Sequence, residues 1–84
     1  MQISVDISLY PLHEDYIPVI IDFIHRVELH EGVEMMRNQM STQLFGEYDR
    51  VMEVLTAELR YSFEHHGKAV IVAKIVNGDV RAAP

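Results

Sequence analysis

The sequence predicts an α+β sandwich, and three observations carry that prediction. Polar and apolar residues alternate at the amino end, two later stretches repeat apolar residues at spacings of three and four, and a nearly continuous β-branched run lies toward the carboxyl end. Between the two helical stretches, a pair of short runs flanks a polar tetrapeptide. Read in order, the pieces are βαββαβ.

In the first strand Ile3, Val5, Ile7 and Leu9 fall on one side and Gln2, Ser4, Asp6, Ser8 and Tyr10 on the other. Period two means a strand buried on one face only. Pro11 ends it, having no N–H to give to a ladder. Ile17, Ile20, Ile21 and Ile24 then recur at helical spacing, so a first helix is expected over residues 15–29. Pro18 fits only its first turn, Glu14 and Asp15 place negative charge at its positive end, and Glu31-Gly32 supplies the stop. Val33–Arg37 and residues 42–46 read as short strands joined through Asn38-Gln39-Met40-Ser41, a hairpin with a four-residue connection. Asp49 can cap a second helix, along which Val51, Val54, Leu55, Leu59, Ser62 and Phe63 share a face. It runs to His65 or His66 and stops at Gly67. Ala69–Val76 is apolar and β-branched, with the turn signal Asn77-Gly78 behind it, and makes the fourth strand.

This order with short links is the split βαβ arrangement of ferredoxin-like domains. Right-handed crossovers place both helices on one face of a four-stranded antiparallel sheet of order 4-1-3-2, within one domain over residues 1–84. Ile3, Val5, Ile7 and Leu9 then face the helices, leaving Ser4, Asp6, Ser8 and Tyr10 on the open side. The fourth strand departs from this pattern, because Val70, Val72 and Val76 oppose Ala69, Ile71, Ala73 and Ile75 and both faces are apolar. A second copy is expected to cover the surplus, as a homodimer or a dimer of dimers.

Composition narrows the chemistry. The chain has no cysteine, so thiolate chemistry is excluded, and its seven basic and thirteen acidic residues give a net charge of −6. That field opposes nucleic acid, whose binding depends on basic side chains displacing counterions, and favours a cationic ligand. The third strand agrees: around Phe45 it has no basic residue, where RNA-binding sheets of this topology are basic and rich in aromatics. No apolar run reaches the ~18 to 20 residues of a membrane span, and the amino end has neither a basic patch nor an apolar core, so a cytoplasmic location and no membrane partner are expected. The five histidines include His65 beside His66, and His25 one turn from Glu28. Adjacent helical residues point about 100° apart, and no spacing gives three ligands, so no metal is expected. With no G-x-S-x-G elbow, glycine-rich phosphate loop or H-E-x-x-H, the chain is not expected to be an enzyme.

What remains is Met40-Ser41-Thr42-Gln43-Leu44-Phe45-Gly46-Glu47-Tyr48-Asp49, where hydroxyls, an amide, an aromatic ring and acids lie close together. It reads either as a turn followed by a capped helix or as part of a binding surface. The second reading needs these groups to meet Asp6, Ser8 and Tyr10, which the strand order allows because strands one and three are neighbours.

Together with Ser8-Leu9-Tyr10-Pro11-Leu12, that segment resembles the YkoF-like family of thiamine and hydroxymethylpyrimidine-binding proteins, along nearly the whole chain. The type member has two tandem repeats and this chain one, so it is also similar to single-domain thiamine-binding relatives, which assemble as dimers or tetramers. Their Ser-x-x-Pro pattern would fall here on Ser8 to Pro11. Their Gly-Thr pattern would fall on Ser41-Thr42, with Ser41 in the place of glycine. The resemblance implies a small-molecule binder for thiamine or its hydroxymethylpyrimidine moiety, serving transport, salvage or sensing, with no cofactor beyond that ligand. The residues implied in binding are Asp6, Ser8, Tyr10, Asn38, Ser41, Thr42, Gln43, Phe45 and Glu47. Hydroxyl, amide and carboxylate groups suit an aminopyrimidine, Tyr10 or Phe45 can cover its ring, and Asp6 or Glu47 can offset a thiazolium charge. The alternative is a ferredoxin-like regulatory or oligomerisation domain without such a ligand.

Overall fold

The alternation in the first strand decides which way the sheet faces. A computed structural model describes residues 1–82. It contains β1 (Gln2–Pro11), α1 (Ile17–Glu28), β2 (Val33–Arg37), β3 (Thr42–Glu47), α2 (Tyr48–His66) and β4 (Ala69–Val76), then a single 3-10 turn at Val80–Ala82. The sheet order is β2-β3-β1-β4, with every neighbouring pair antiparallel. This is the expected ferredoxin-like βαββαβ arrangement. Ile3, Val5, Ile7 and Leu9 pack with Leu44 of β3 against Val19, Phe23 and Val27 of α1 and Val51, Val54 and Leu55 of α2. Removing this apolar area from water drives the helices onto the sheet.

Both helices begin elsewhere than expected. α1 opens at Ile17 with Tyr16 before it, and Pro18 lies in its first turn. A start at residue 15 would carry Pro18 toward positions where an N–H is needed. Glu14 and Asp15 therefore lie ahead of the helix, and its last residue is Glu28 rather than Leu29. α2 is capped by Glu47, not Asp49. Glu47 keeps the extended backbone of β3 (φ −70°, ψ 140°), and its carboxylate accepts the Arg50 N–H at 3.1 Å. Asp49 stands in the first turn, where its charge suits the helix dipole. At the other end Gly67 adopts φ +83°, a conformation that glycine alone takes without strain. Gly46 is required for another reason: a Cβ there would lie 2.7 Å from the Gly32 carbonyl oxygen and 3.0 Å from Val51.

The buried stripe of α2 includes Val51, Val54, Leu55, Glu58 and Ser62, whereas Phe63, expected on that face, is exposed. Glu58 is tolerated because α1 supplies two partners. Arg26 Nε donates to Oε1 at 2.8 Å, and His30 Nε2 lies 2.9 Å from Oε2. Burial pushes this carboxyl up, but the hydrogen bonds from His30 and Arg26 outweigh it and hold Glu58 below the usual carboxylate range. The Arg26 guanidinium also covers the Tyr61 ring at 3.3 Å, and Tyr61 stacks on His65. His66 pairs with Asp22 at 2.8 Å, so the helices are joined by polar contacts above their apolar seam.

On the open face, the ladder registers set the side chains in rows across the sheet. Glu34, Phe45, Ser4 and Val76 form one row, and Met36, Gln43, Asp6 and Lys74 the next. The chain beyond β4 turns back over the first row. Ser4 Oγ donates to the Gly78 carbonyl at 2.7 Å and accepts the Val80 N–H at 3.0 Å. Arg81 lies 4.1 Å above the Phe45 ring, held by Asp79 and Glu34. Those hydrogen bonds, Asp79 first, raise Arg81 above the ordinary arginine range, and Arg81 in turn lowers Asp79. Ser4 and Phe45 are only 4% and 2% exposed for this reason, although alternation points both outward. Val70, Val72 and Val76 of β4 stay about half exposed, so the strap does not cover the apolar surplus of the edge strand. Among the described residues no helix is long and apolar enough to cross a membrane.

Candidate functional site

At the end of the sheet away from the strap, β1 runs on to Pro11 and the β2–β3 connection rises beside it. Residues 38–41 fold tightly because Asn38 closes them from both sides. Its Oδ1 accepts the N–H groups of Met40 at 2.8 Å and Ser41 at 3.0 Å, and its own N–H donates to the Ser41 carbonyl at 3.1 Å. The first turns of α1 complete an enclosure over this corner.

The cavity there, about half open to solvent and the more enclosed of two, measures ≈ 400 Å³, and Ile7, Leu9, Ile20, Phe23 and Ile24 form its apolar wall. Tyr10 and Tyr16 bring aromatic rings to it, and Ser8, Asn38, Gln39, Ser41 and Thr42 bring hydroxyls and amides. No charged side chain lines it. An apolar enclosure with a few uncharged polar groups, of a size within the ~300 to 1,000 Å³ of small-molecule sites, can hold a flat, weakly polar ring and read its edge.

A second cavity of ≈ 610 Å³ lies on the open face and is shallower, lined by Asp6, Ser8, Tyr10, Gln43 and the turn residues 38–41. The turn is thus a shared wall between the two. Ser41 links them: its Oγ donates to Asp6 Oδ1 at 2.7 Å. Ser8 Oγ reaches the Met40 carbonyl at 3.5 Å, a long contact that leaves its hydroxyl nearly free.

Seven of the nine residues singled out from the sequence meet at this corner. Ser8, Tyr10, Asn38 and Ser41 border both cavities, Thr42 borders the enclosed one, and Asp6 and Gln43 border the open one. Phe45 is held apart, one row along the sheet beneath Arg81. Glu47 lies at the far end of β3, five residues and about 17 Å from Thr42 at strand rise, and spends its carboxylate on the α2 cap. The enclosed cavity also uses residues the sequence did not mark for binding: Pro11, Tyr16, Gln39 and the α1 trio Ile20, Phe23 and Ile24. The α1 residues carry the same helical spacing as any core position. Tyr16, an aromatic ahead of the helix, and Pro11 and Gln39, inside segments already singled out, did offer a distinguishing signal. Arg37, the basic residue nearest the turn, is exposed and pairs across the ladder with Thr42 without lining either cavity. Among the described residues no group of three histidines or acids could hold a metal ion.

Residues 2–80 match the model of the YKOF-related family. Among solved structures, a Streptococcus pneumoniae protein is 26% identical with a TM-score of 0.87, over 99% of this chain and 93% of its own. A Thermotoga maritima protein, provisionally assigned to thiamine biosynthesis or salvage, is 21% identical with a TM-score of 0.81, over 93% of this chain and 85% of its own. A Methanocaldococcus jannascii protein shares the fold at 16% identity and a TM-score of 0.79, over 93% of this chain and 81% of its own. No curated protein matches the chain.

Proposed function

Because the chain belongs to the YKOF-related family, we propose that it is a cytoplasmic binding protein for thiamine or its hydroxymethylpyrimidine moiety, acting in transport, salvage or sensing and breaking no bond. The observation that carries this reading is the half-open ≈ 400 Å³ cavity, apolar and aromatic within and edged by Ser8, Asn38, Ser41 and Thr42. A neutral aminopyrimidine suits it. The ring is flat enough to lie between Tyr10 or Tyr16 and the aliphatic wall, and its amino group and ring nitrogens need the kind of uncharged partners that edge the cavity. The positively charged thiazolium portion would extend toward the open face, where Asp6 borders the second cavity. The provisional assignment of the Thermotoga maritima neighbour to thiamine biosynthesis or salvage points the same way.

Self-association belongs to the same reading. β4 is an eight-residue edge strand with Val70, Val72 and Val76 half exposed, a surface that a second copy of the chain would bury. A homodimer or dimer of dimers is proposed on that ground. Native mass spectrometry of the protein with excess thiamine, and separately with the free pyrimidine, tests the binding. One ligand per chain is expected. A chain that stays bare with both compounds, under conditions that keep it folded, refutes the reading.

A further inference from the structure

Resting on the thiamine-type reading, we infer that the Asp6–Ser41 pair and the turn at residues 38–41 fix the hydrogen-bonding sense of the site. Asp6 thereby acts as a positioning residue that selects a 4-amino pyrimidine over its 4-oxo counterpart. A carboxylate has no proton to give, so the 2.7 Å contact between Ser41 Oγ and Asp6 Oδ1 uses the single proton of Ser41. With that proton committed, Ser41 Oγ presents only lone pairs to anything beside it. It can accept and cannot donate.

Asn38 is fixed in the opposite sense. Its Oδ1 is taken by two backbone N–H groups, those of Met40 and Ser41, which also settles which end of the amide is oxygen. What remains is the NH₂ group, with two protons to donate. The one turn therefore offers an acceptor at Ser41 and a donor at Asn38, and both residues border both cavities. An aminopyrimidine edge carries an amino donor beside a ring-nitrogen acceptor, the complement of that pair. The 4-oxo analogue carries a carbonyl acceptor beside a ring N–H donor. Placed in the same pose it sets acceptor against acceptor and donor against donor, and each mismatch leaves a desolvated polar group unpaired.

Replacing Asp6 changes this sense with little change of shape. In Asp6→Asn the amide can donate to Ser41 Oγ, which releases the Ser41 proton to point at the ligand. Selection by Ser41 is then lost, while a merely structural role for Asp6 would leave the ratio between the two ligands unaltered. Calorimetry with thiamine and with oxythiamine, its 4-oxo analogue, on wild type, Asp6→Asn and Ser41→Ala tests the inference. Wild type is expected to prefer thiamine by at least tenfold, and both variants to bring that ratio toward one. In Asp6→Asn the change comes in part from tighter oxythiamine binding. In Ser41→Ala it comes from weaker thiamine binding alone. A third variant, Asn38→Asp, keeps an oxygen to close the turn and loses the donors, and should weaken thiamine at least fivefold. Wild type that binds both ligands equally, or Asp6→Asn that keeps the wild-type ratio, overturns the inference while leaving the binding function standing. Wild type that binds neither ligand overturns the thiamine reading itself, and the inference falls with it.

Discussion

Thr42→Val removes one hydroxyl from the enclosed cavity and little else. Thr42 is 8% exposed, sits opposite Ile7 on β1 and Arg37 on β2, and is held in place by the ladders on both sides of β3. Valine has nearly the same shape and suits a central strand at least as well, so the sheet and the cavity walls keep their positions. The variant therefore isolates a hydrogen bond. If the Thr42 hydroxyl meets a polar atom of the ligand away from water, its loss leaves that atom unpaired, at a cost of about 1 to 3 kcal/mol. That corresponds to a rise of about five- to a hundredfold in Kd. Titration calorimetry with thiamine reads the change, and circular dichroism with a thermal scan shows that the fold is intact. Thr56→Val is the control, because Thr56 is exposed on α2 and its hydroxyl bonds the Glu53 carbonyl of its own helix. A folded Thr42→Val protein with the wild-type Kd would refute the placement of the ligand in the enclosed cavity.

Three further outcomes follow from the fold. Gly46→Ala drives a Cβ to 2.7 Å from the Gly32 carbonyl oxygen, a backbone atom with no freedom to withdraw, and overpacking of about 1 to 3 kcal/mol should lower Tm by at least about 4 °C; an unchanged Tm contradicts the close approach. Glu58, held below the usual carboxylate range, stabilises the fold fully above its unfolded value near 4.5, and that contribution disappears as pH falls through the lower folded value. Because Arg26 and His30 are each about a third exposed and can rehydrate, Glu58→Gln should cost only about 1 to 2 kcal/mol at neutral pH. It should also flatten the acid loss of stability, and denaturant titrations from pH 3 to 7 that run parallel to wild type would show that the pair contributes nothing. Light scattering at micromolar concentration should give two or four times the 9.7 kDa chain mass, and Val72→Glu on β4 should return the monomer; a wild-type monomer removes the case for assembly.

Much of the fold was legible because the governing signals are local. The period-two alternation of Gln2–Pro11 fixed which face of β1 is buried, and the β-branched run at Ala69–Val76 and the tetrapeptide at residues 38–41 lie where the sequence placed them. Helix starts were less legible, since Glu47 and Asp49 are both acidic and stand close to the start of α2. Only the extended backbone of Glu47 decides which carboxylate reaches a free N–H. The candidate site was legible on its polar side, where alternation turns Asp6, Ser8 and Tyr10 to the open face and the topology sets β3 beside them. It was illegible on its apolar side, because Ile20, Phe23 and Ile24 have the spacing of core residues whether they meet a cavity or a strand. Phe45 shows a different limit. The register sets it in the open-face row of Ser4 and Glu34, but its availability depends on Arg81, thirty-six positions away in sequence and brought over it by the turn after β4.

The central claim is that the enclosed corner takes a neutral aminopyrimidine carrying a cationic partner ring. Its wall has no charged side chain, Arg37 lines neither cavity, and Asp6, which borders the open cavity with Lys74 opposite it on β4, opposes an anion. Two like charges about 4 Å apart cost on the order of 4 kcal/mol at an effective dielectric near 20. Calorimetric titration of one protein preparation with thiamine and then with thiamine diphosphate, at moderate salt and without divalent cations, tests the claim most directly. Saturable binding of thiamine at one per chain, with the diphosphate at least tenfold weaker, is the result expected. Diphosphate that binds as tightly as thiamine, or thiamine that gives no saturable heat at all, would contradict it.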